Sequence, residues 1–132
     1  MTDTLRAVKS LLDSTDARTV CFSDGVAHKY KMDAFEVLIR TYGTNNNVAY
    51  GSVIACERAN KASAVLMVLC DADEVFARSI TKDALRFLMD NKTPCYFSKI
   101  EDSDDPYDTL LLGEDDIKNA YDKIKQKYIE GI

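Results

Sequence analysis

The sequence predicts an α/β fold: a three-layer α/β/α sandwich with a small mixed central sheet. Two observations carry this reading. Ala64 to Asp71, AVLMVLCD, is seven apolar residues followed at once by a carboxylate. A run this short, partly β-branched and bounded by polar residues, reads as a strand buried on both faces, and such a strand needs helices above and below it. The second observation is the set of amphipathic stripes along the rest of the chain, from Leu5, Val8, Leu11 and Leu12 near the start to Ile117, Tyr121, Ile124 and Tyr128 near the end. Asp71 then stands at the carboxyl end of a central strand, where open α/β sheets place their sites.

In order, Thr4 to Ser14 is an amphipathic helix with Asp3 at its first turn. Arg18 to Phe22 is a short strand ended by Ser23-Asp24-Gly25, and Val26 to Lys31 alternates loosely as a hairpin partner. Asp33 caps a second helix, with Glu36 at capping-box spacing, an apolar face of Phe35, Leu38, Ile39 and Tyr42, and Gly43 as its stop. Thr44 to Asn47 is a polar loop and Val48 to Tyr50 a short strand. Ser52 caps a third helix that runs to about Lys61, ahead of the central strand. The stretch after it, DADEVFARS, reads as a loop.

Thr81 caps a fourth helix with Ala84, Leu85, Leu88 and Met89 inward. Pro94 to Phe97 is a strand opened by proline. Glu101 to Asp108 is an acidic loop, Thr109 to Leu112 a strand, and Glu114 to Asp116 place acids at the start of the last helix.

The chain of 132 residues is read as one domain, 1–132. That is long enough to bury roughly 70% of its unfolded surface without a metal or disulfide. Hydrophobic residues make up 46% and charged residues 30%, an ordinary globular balance. No apolar run approaches the roughly 18 residues of a membrane span, and MTDTLRAVKS lacks the pattern of a signal peptide, so an intracellular place, cytoplasm or nucleus, is expected. Cys21, Cys56, Cys70 and Cys95 have no CxxC spacing and read as reduced core cysteines. A net charge of −5 opposes non-specific nucleic-acid binding but leaves a local basic patch open.

Chemistry-bearing motifs are scarce. The five glycines form neither GxGxxG nor GxxxxGK, and there is no GxSxG elbow. A calcium loop started at Asp102 puts Tyr107 where glycine is required and Gly113 where glutamate is required. A receiver-type phospho-acceptor at Asp71 would need an acidic pair after the first strand and a lysine at a later strand end; Asp24 is the sole acid there, and Lys99 fits loosely as the lysine.

Val48 to Phe97 resembles the superfamily of kink-turn-binding ribosomal proteins, nearest its growth-arrest-and-DNA-damage-inducible (Gadd) branch. The resemblance rests on Gly51 opening a helix, on VLMVLCDADE running into acids, on Leu85 and Leu88, and on the proline-led NKTPCYF. The RNA-binding pattern G-x-N-E-x-x-K keeps Gly51 alone: its Asn, Glu and Lys fall on Val53, Ile54 and Glu57. The resemblance therefore implies a non-enzymatic regulatory protein of stress response, cell cycle or kinase control, working by protein–protein contact and using no cofactor or metal.

The expected binding residues are Asp71, Asp73 and Glu74, with Glu101, Asp102, Asp104, Asp105 and Asp108, steering a protein partner with a basic surface such as a kinase or cell-cycle protein. A homodimer stays open and no membrane contact is expected. The alternative is a kink-turn or structured-RNA binder using Gly51 and Lys118, Lys123, Lys125 and Lys127. A third reading is a receiver-like or small-molecule-binding site centred on Asp71.

Overall fold

A computed structural model describes residues 1–44, 47 and 49–131. The elements are α1 (Asp3–Ser14), β1 (Thr19–Ser23), β2 (Val26–Tyr30), α2 (Ala34–Thr41), β3 (Val53–Ala59), α3 (Lys61–Leu69), β4 (Glu74–Thr81), α4 (Lys82–Asp90), β5 (Cys95–Glu101), α5 (Pro106–Leu110) and α6 (Ile117–Glu130). The strands form one sheet in the order β2-β1-β3-β4-β5. β1 runs antiparallel to both β2 and β3, while β3, β4 and β5 are parallel. The sandwich with a mixed sheet is therefore as expected from the sequence.

Two apolar clusters lie on opposite faces of the sheet. On one, Leu5, Val8 and Leu12 of α1 pack on Val20, Val53, Ala55 and Phe76. On the other, Ile54, Cys56, Ala59, Val75, Ala77 and Ile80 meet residues of α2, α3, α4 and α6. Strict alternation would not put both Cys56 and Ala59 on one face. It is interrupted at Glu57 and Arg58, and beside them at Arg78 and Ser79, all half-buried. That interruption turns Arg58 out of the core toward the carboxyl ends of the parallel strands.

Local chemistry explains most boundaries. The turn between β1 and β2 puts Asp24 at φ 51 and Gly25 at φ 76, the left-handed pair that a two-residue hairpin requires. Side chains of Asp33, Thr81 and Asp116 accept hydrogen bonds from the amides of Glu36, Ala84 and Asn119 at the starts of α2, α4 and α6. Thr2 caps α1, and Asp3 lies in its first turn as expected.

The middle of the chain corrects the sequence reading. Ala64 to Cys70 is not a strand but most of α3 and its C-cap. Asn60 and Ser63 close a reciprocal capping box at its start. The helix is apolar all round because it is enclosed by the sheet and by α2, α4, α5 and α6. The helix expected from Ser52 is β3 over most of its length, and the expected loop DADEVFARS holds most of β4. Thr109 to Leu112 forms no strand; it ends α5 and turns. Met89, expected inside, is 65% exposed. Asn45, Asn46 and Val48, in the expected polar loop and short strand, lie outside the described residues, and Ala49 and Tyr50 form a turn. No helix among the described residues is long and apolar enough to cross a membrane.

Candidate functional site

The carboxyl ends of β3, β4 and β5 converge with the N-termini of α3, α4 and α5. A polar seam is built there from residues distant in sequence. Arg58 Nε donates to Glu101 Oε2 at 2.9 Å and its Nη1 to Asp105 Oδ2 at 3.1 Å. Asp105 also receives the Asn60 side-chain amide at 3.2 Å and the Tyr107 backbone amide at 2.9 Å, so one carboxylate caps α5 and ties it to α3. The Ser103 hydroxyl accepts from the Asp83 amide at 3.0 Å, in the first turn of α4. The Arg58 guanidinium holds the Glu101 carboxyl below its usual range.

Beneath this seam lies Asp108, fully buried. Its Oδ1 accepts the backbone amide of Lys61 at 2.6 Å, whereas Oδ2 is buried without a hydrogen-bond partner. Burial pushes this carboxyl up, opposed by the Thr81 hydroxyl and the Lys61 amide.

Lys61 is 4% exposed. Its ammonium donates to the Leu111 carbonyl at 2.6 Å and stands 6.0 Å from the centre of the Phe87 ring. Among the described residues it makes no ion pair. A buried ammonium is costly unless compensated, and one carbonyl and a ring face are partial compensation. Lys61 and Phe87 line a cleft of about 270 Å³ together with Asp83, Arg86, Asp90, Leu112, Gly113 and Asp115. The exposed Arg86 also has no ion-pair partner among the described residues. The arrangement offers one buried cation and one exposed one, with the carboxylates of Asp83, Asp90 and Asp115 around them, at the sheet end where α/β folds hold ligands.

The acids chosen from the sequence do not form one surface. Asp71 follows the C-terminus of α3 at φ 53, in the left-handed region, and is not at a strand end. Asp71 and Asp73 are exposed, while Glu74 is buried at the start of β4, where its carboxylate accepts the Thr2 amide at 3.1 Å and the Thr2 hydroxyl at 2.7 Å. These three lie at the amino ends of the parallel strands. Glu101, Asp102, Asp104, Asp105 and Asp108 lie at the opposite end. Of that group, Glu101 and Asp105 pair with Arg58, Asp102 pairs with Lys82 at 3.0 Å, and Asp108 is enclosed. Asp104 alone is exposed and without a side-chain partner among the described residues.

Gly51 sits at φ 63 in the turn before β3 and opens no helix. On α6, Lys123 pairs with Glu114 at 2.8 Å, Lys125 and Lys127 stand over the rings of Tyr121 and Tyr107, and Lys118 is exposed. Arg58, Asn60, Lys61 and Arg86 were not singled out from the sequence. The signal that could have found three of them is Asn60 three residues before Ser63, which marks a helix start and puts Arg58 and Lys61 beside it.

The fold and site thus define a three-layer α/β/α domain with a polar cleft at the carboxyl ends of its parallel strands. The chain belongs to the TM1506 family, a domain of unknown function (DUF1893), which it matches over residues 7–127. A solved structure of a DUF1893 family protein (TM1506) from Thermotoga maritima is similar in fold, with a TM-score of 0.75 at 18% identity, over 96% of this chain and 92% of that one. At that identity the likeness speaks to the fold alone. The comparison with curated proteins returned no match. The family match overturns the kink-turn and Gadd resemblance. Its physical basis also fails, because Gly51 precedes a strand and VLMVL lies in a helix.

Proposed function

We propose that this is a small-molecule-binding domain whose ligand carries an anionic group, carboxylate or phosphate, seated against Lys61 and Arg86. The observation that carries the proposal is the buried Lys61 ammonium, which pairs with no carboxylate among the described residues, in the wall of a cleft at the carboxyl edge of three parallel strands. An anion there completes a charge that the fold leaves half satisfied. Asp83, Asp90 and Asp115 suit hydroxyl or amine donors on the rest of the ligand, so an amino acid or a sugar phosphate fits better than a simple anion. We read the role as binding without catalysis. Burial pushes the Cys21 thiol up to about 12 and those of Cys70 and Cys95 up to about 11, far from nucleophilic range. His28 lies on β2, at the sheet edge opposite β5.

The test is a thermal-shift panel of amino acids and sugar phosphates, repeated on Lys61→Met and Arg86→Ala. A ligand at about 100 times its dissociation constant stabilises by about 2.7 kcal/mol, a rise of several degrees. That rise should be seen with the wild type and be lost in both variants. No shift with either class, or a shift that survives both substitutions, would sink the proposal.

Action through protein contact is a second reading, favoured by one observation: Tyr96 to Ile100 are all exposed on the edge strand β5.

A further inference from the structure

The two edges of the sheet are defended unequally. β2 is five residues long, held in a tight hairpin, and carries His28 and Lys29. β5 is seven residues long, has no proline within it, and among the described residues pairs with β4 alone. Tyr96, Phe97 and Ile100 are 38%, 39% and 44% exposed, and Met89 of α4 is 65% exposed beside Ile100, with which it lines a shared groove. A long apolar edge of this kind is a template for another strand. Lys99 is the one charge between Cys95 and Glu101 that could discourage pairing.

We infer that β5 is a self-association edge, and that its occupant is β5 of a second copy of this chain, antiparallel about a two-fold axis at Ser98. The argument is self-complementarity. In that register Tyr96 stands opposite Ile100, Phe97 opposite Lys99, and Cys95 opposite Glu101, and the two-fold axis makes each pair twice. No like charges meet. The apolar pairs match aromatic to β-branched, and Lys99 lies across from an aromatic ring. The result is a continuous ten-stranded sheet, an isologous contact, with Met89 and Leu85 of each α4 flanking the seam. The seam lies on β5 and uses neither Lys61 nor Phe87, although Arg86 and Asp90 line both the Lys61 cleft and the groove beside Ile100.

Sedimentation velocity from about 1 to 100 μM tests it, with the wild type expected at twice 14.8 kDa at the upper end. The double variant Tyr96→Glu/Ile100→Glu should raise the dissociation constant by roughly tenfold or more, from the loss of both Tyr96–Ile100 cross-strand pairs and the like charges that then stand opposite. A second variant guards against misfolding: Ser98→Cys in a Cys95→Ser background places one thiol at the axis and should give a covalent dimer on mild oxidation. A wild type that stays monomeric at 100 μM would overturn the inference. So would a dimer that the Glu variant leaves intact, or a Ser98→Cys variant that does not cross-link.

Discussion

Lys61 and Asp108 meet through the backbone amide of one and the carboxylate of the other, at 2.6 Å, and not as an ion pair. The Lys61 ammonium is turned instead to the Leu111 carbonyl. The Lys61 ammonium of α3 and the Asp108 carboxyl of α5 thus have separate partners and form no ion pair. The carboxyl serves the start of α3, and the ammonium is left for the cleft.

The first prediction concerns pH. Folding raises the Asp108 carboxyl above its ordinary value of 3.8. The folded protein then keeps a proton that the unfolded chain has released. Asp108 therefore contributes stability that is fully present below about pH 4 and is lost as pH rises through the folded value. Asp108→Asn removes this loss while keeping an acceptor for Lys61. Denaturant unfolding should show the variant gaining on the wild type as pH rises from about 4 to 7. A constant difference across that range would show that Asp108 is ionised alike in both states.

Asp104 and Asp105 are neighbours with opposite fates. Asp105 satisfies Arg58, Asn60 and the start of α5. Asp105→Ala should cost about 1–3 kcal/mol, whereas Asp104→Asn should change stability by no more than about 0.5 kcal/mol. Urea midpoints of the two variants decide this. Equal effects would mean that the seam at Arg58 does not hold α5.

Thr2 caps α1 and also donates twice to Glu74 across the sheet face. Thr2→Ala loses the cap and leaves the buried Glu74 carboxylate with the Thr2 amide alone, a cost of about 1–3 kcal/mol. Thr2→Ser should restore most of it. Hydrogen exchange in α1 should rise in the alanine variant; unchanged exchange there would mean α1 is held by Leu5, Val8 and Leu12 alone.

The thiols should be slow. At pH 7 a thiol with pKa about 11 is ionised in roughly one molecule in ten thousand. Iodoacetamide should label half-buried Cys95 first and Cys21, Cys56 and Cys70 only on unfolding. Mass spectrometry of timed samples reads the order, and early labelling of Cys56 would contradict the packing of β3 against α3.

What was legible in the sequence was local. The caps at Asp33 and Thr81 and the turn at Asp24-Gly25 depend on partners within three residues, so they could be placed directly. The identity of Ala64 to Cys70 was not local. Seven apolar residues suit a buried strand or a buried helix, and the layer that encloses α3 decided between them. Glu74 looked like a loop acid because its partner, Thr2, is 72 positions away. Asp105 and Asp108 read from the sequence as acids that steer a partner; in the structure Asp105 pairs with Arg58 and Asp108 is buried against the Lys61 amide. Arg58, Asn60 and Lys61, which turn them inward, lay in a segment that reads as a helix and folds as a strand and a helix start.

The most direct test of the Lys61 cleft is an amide NMR titration of the ¹⁵N-labelled protein with the sugar phosphate or amino acid that gives the largest thermal shift. Binding at the cleft predicts shifts concentrated at Lys61, Phe87, Leu112 and Gly113 that vanish in Lys61→Met. Shifts confined to α6 or to the β2 edge, or none at saturating ligand, would contradict it.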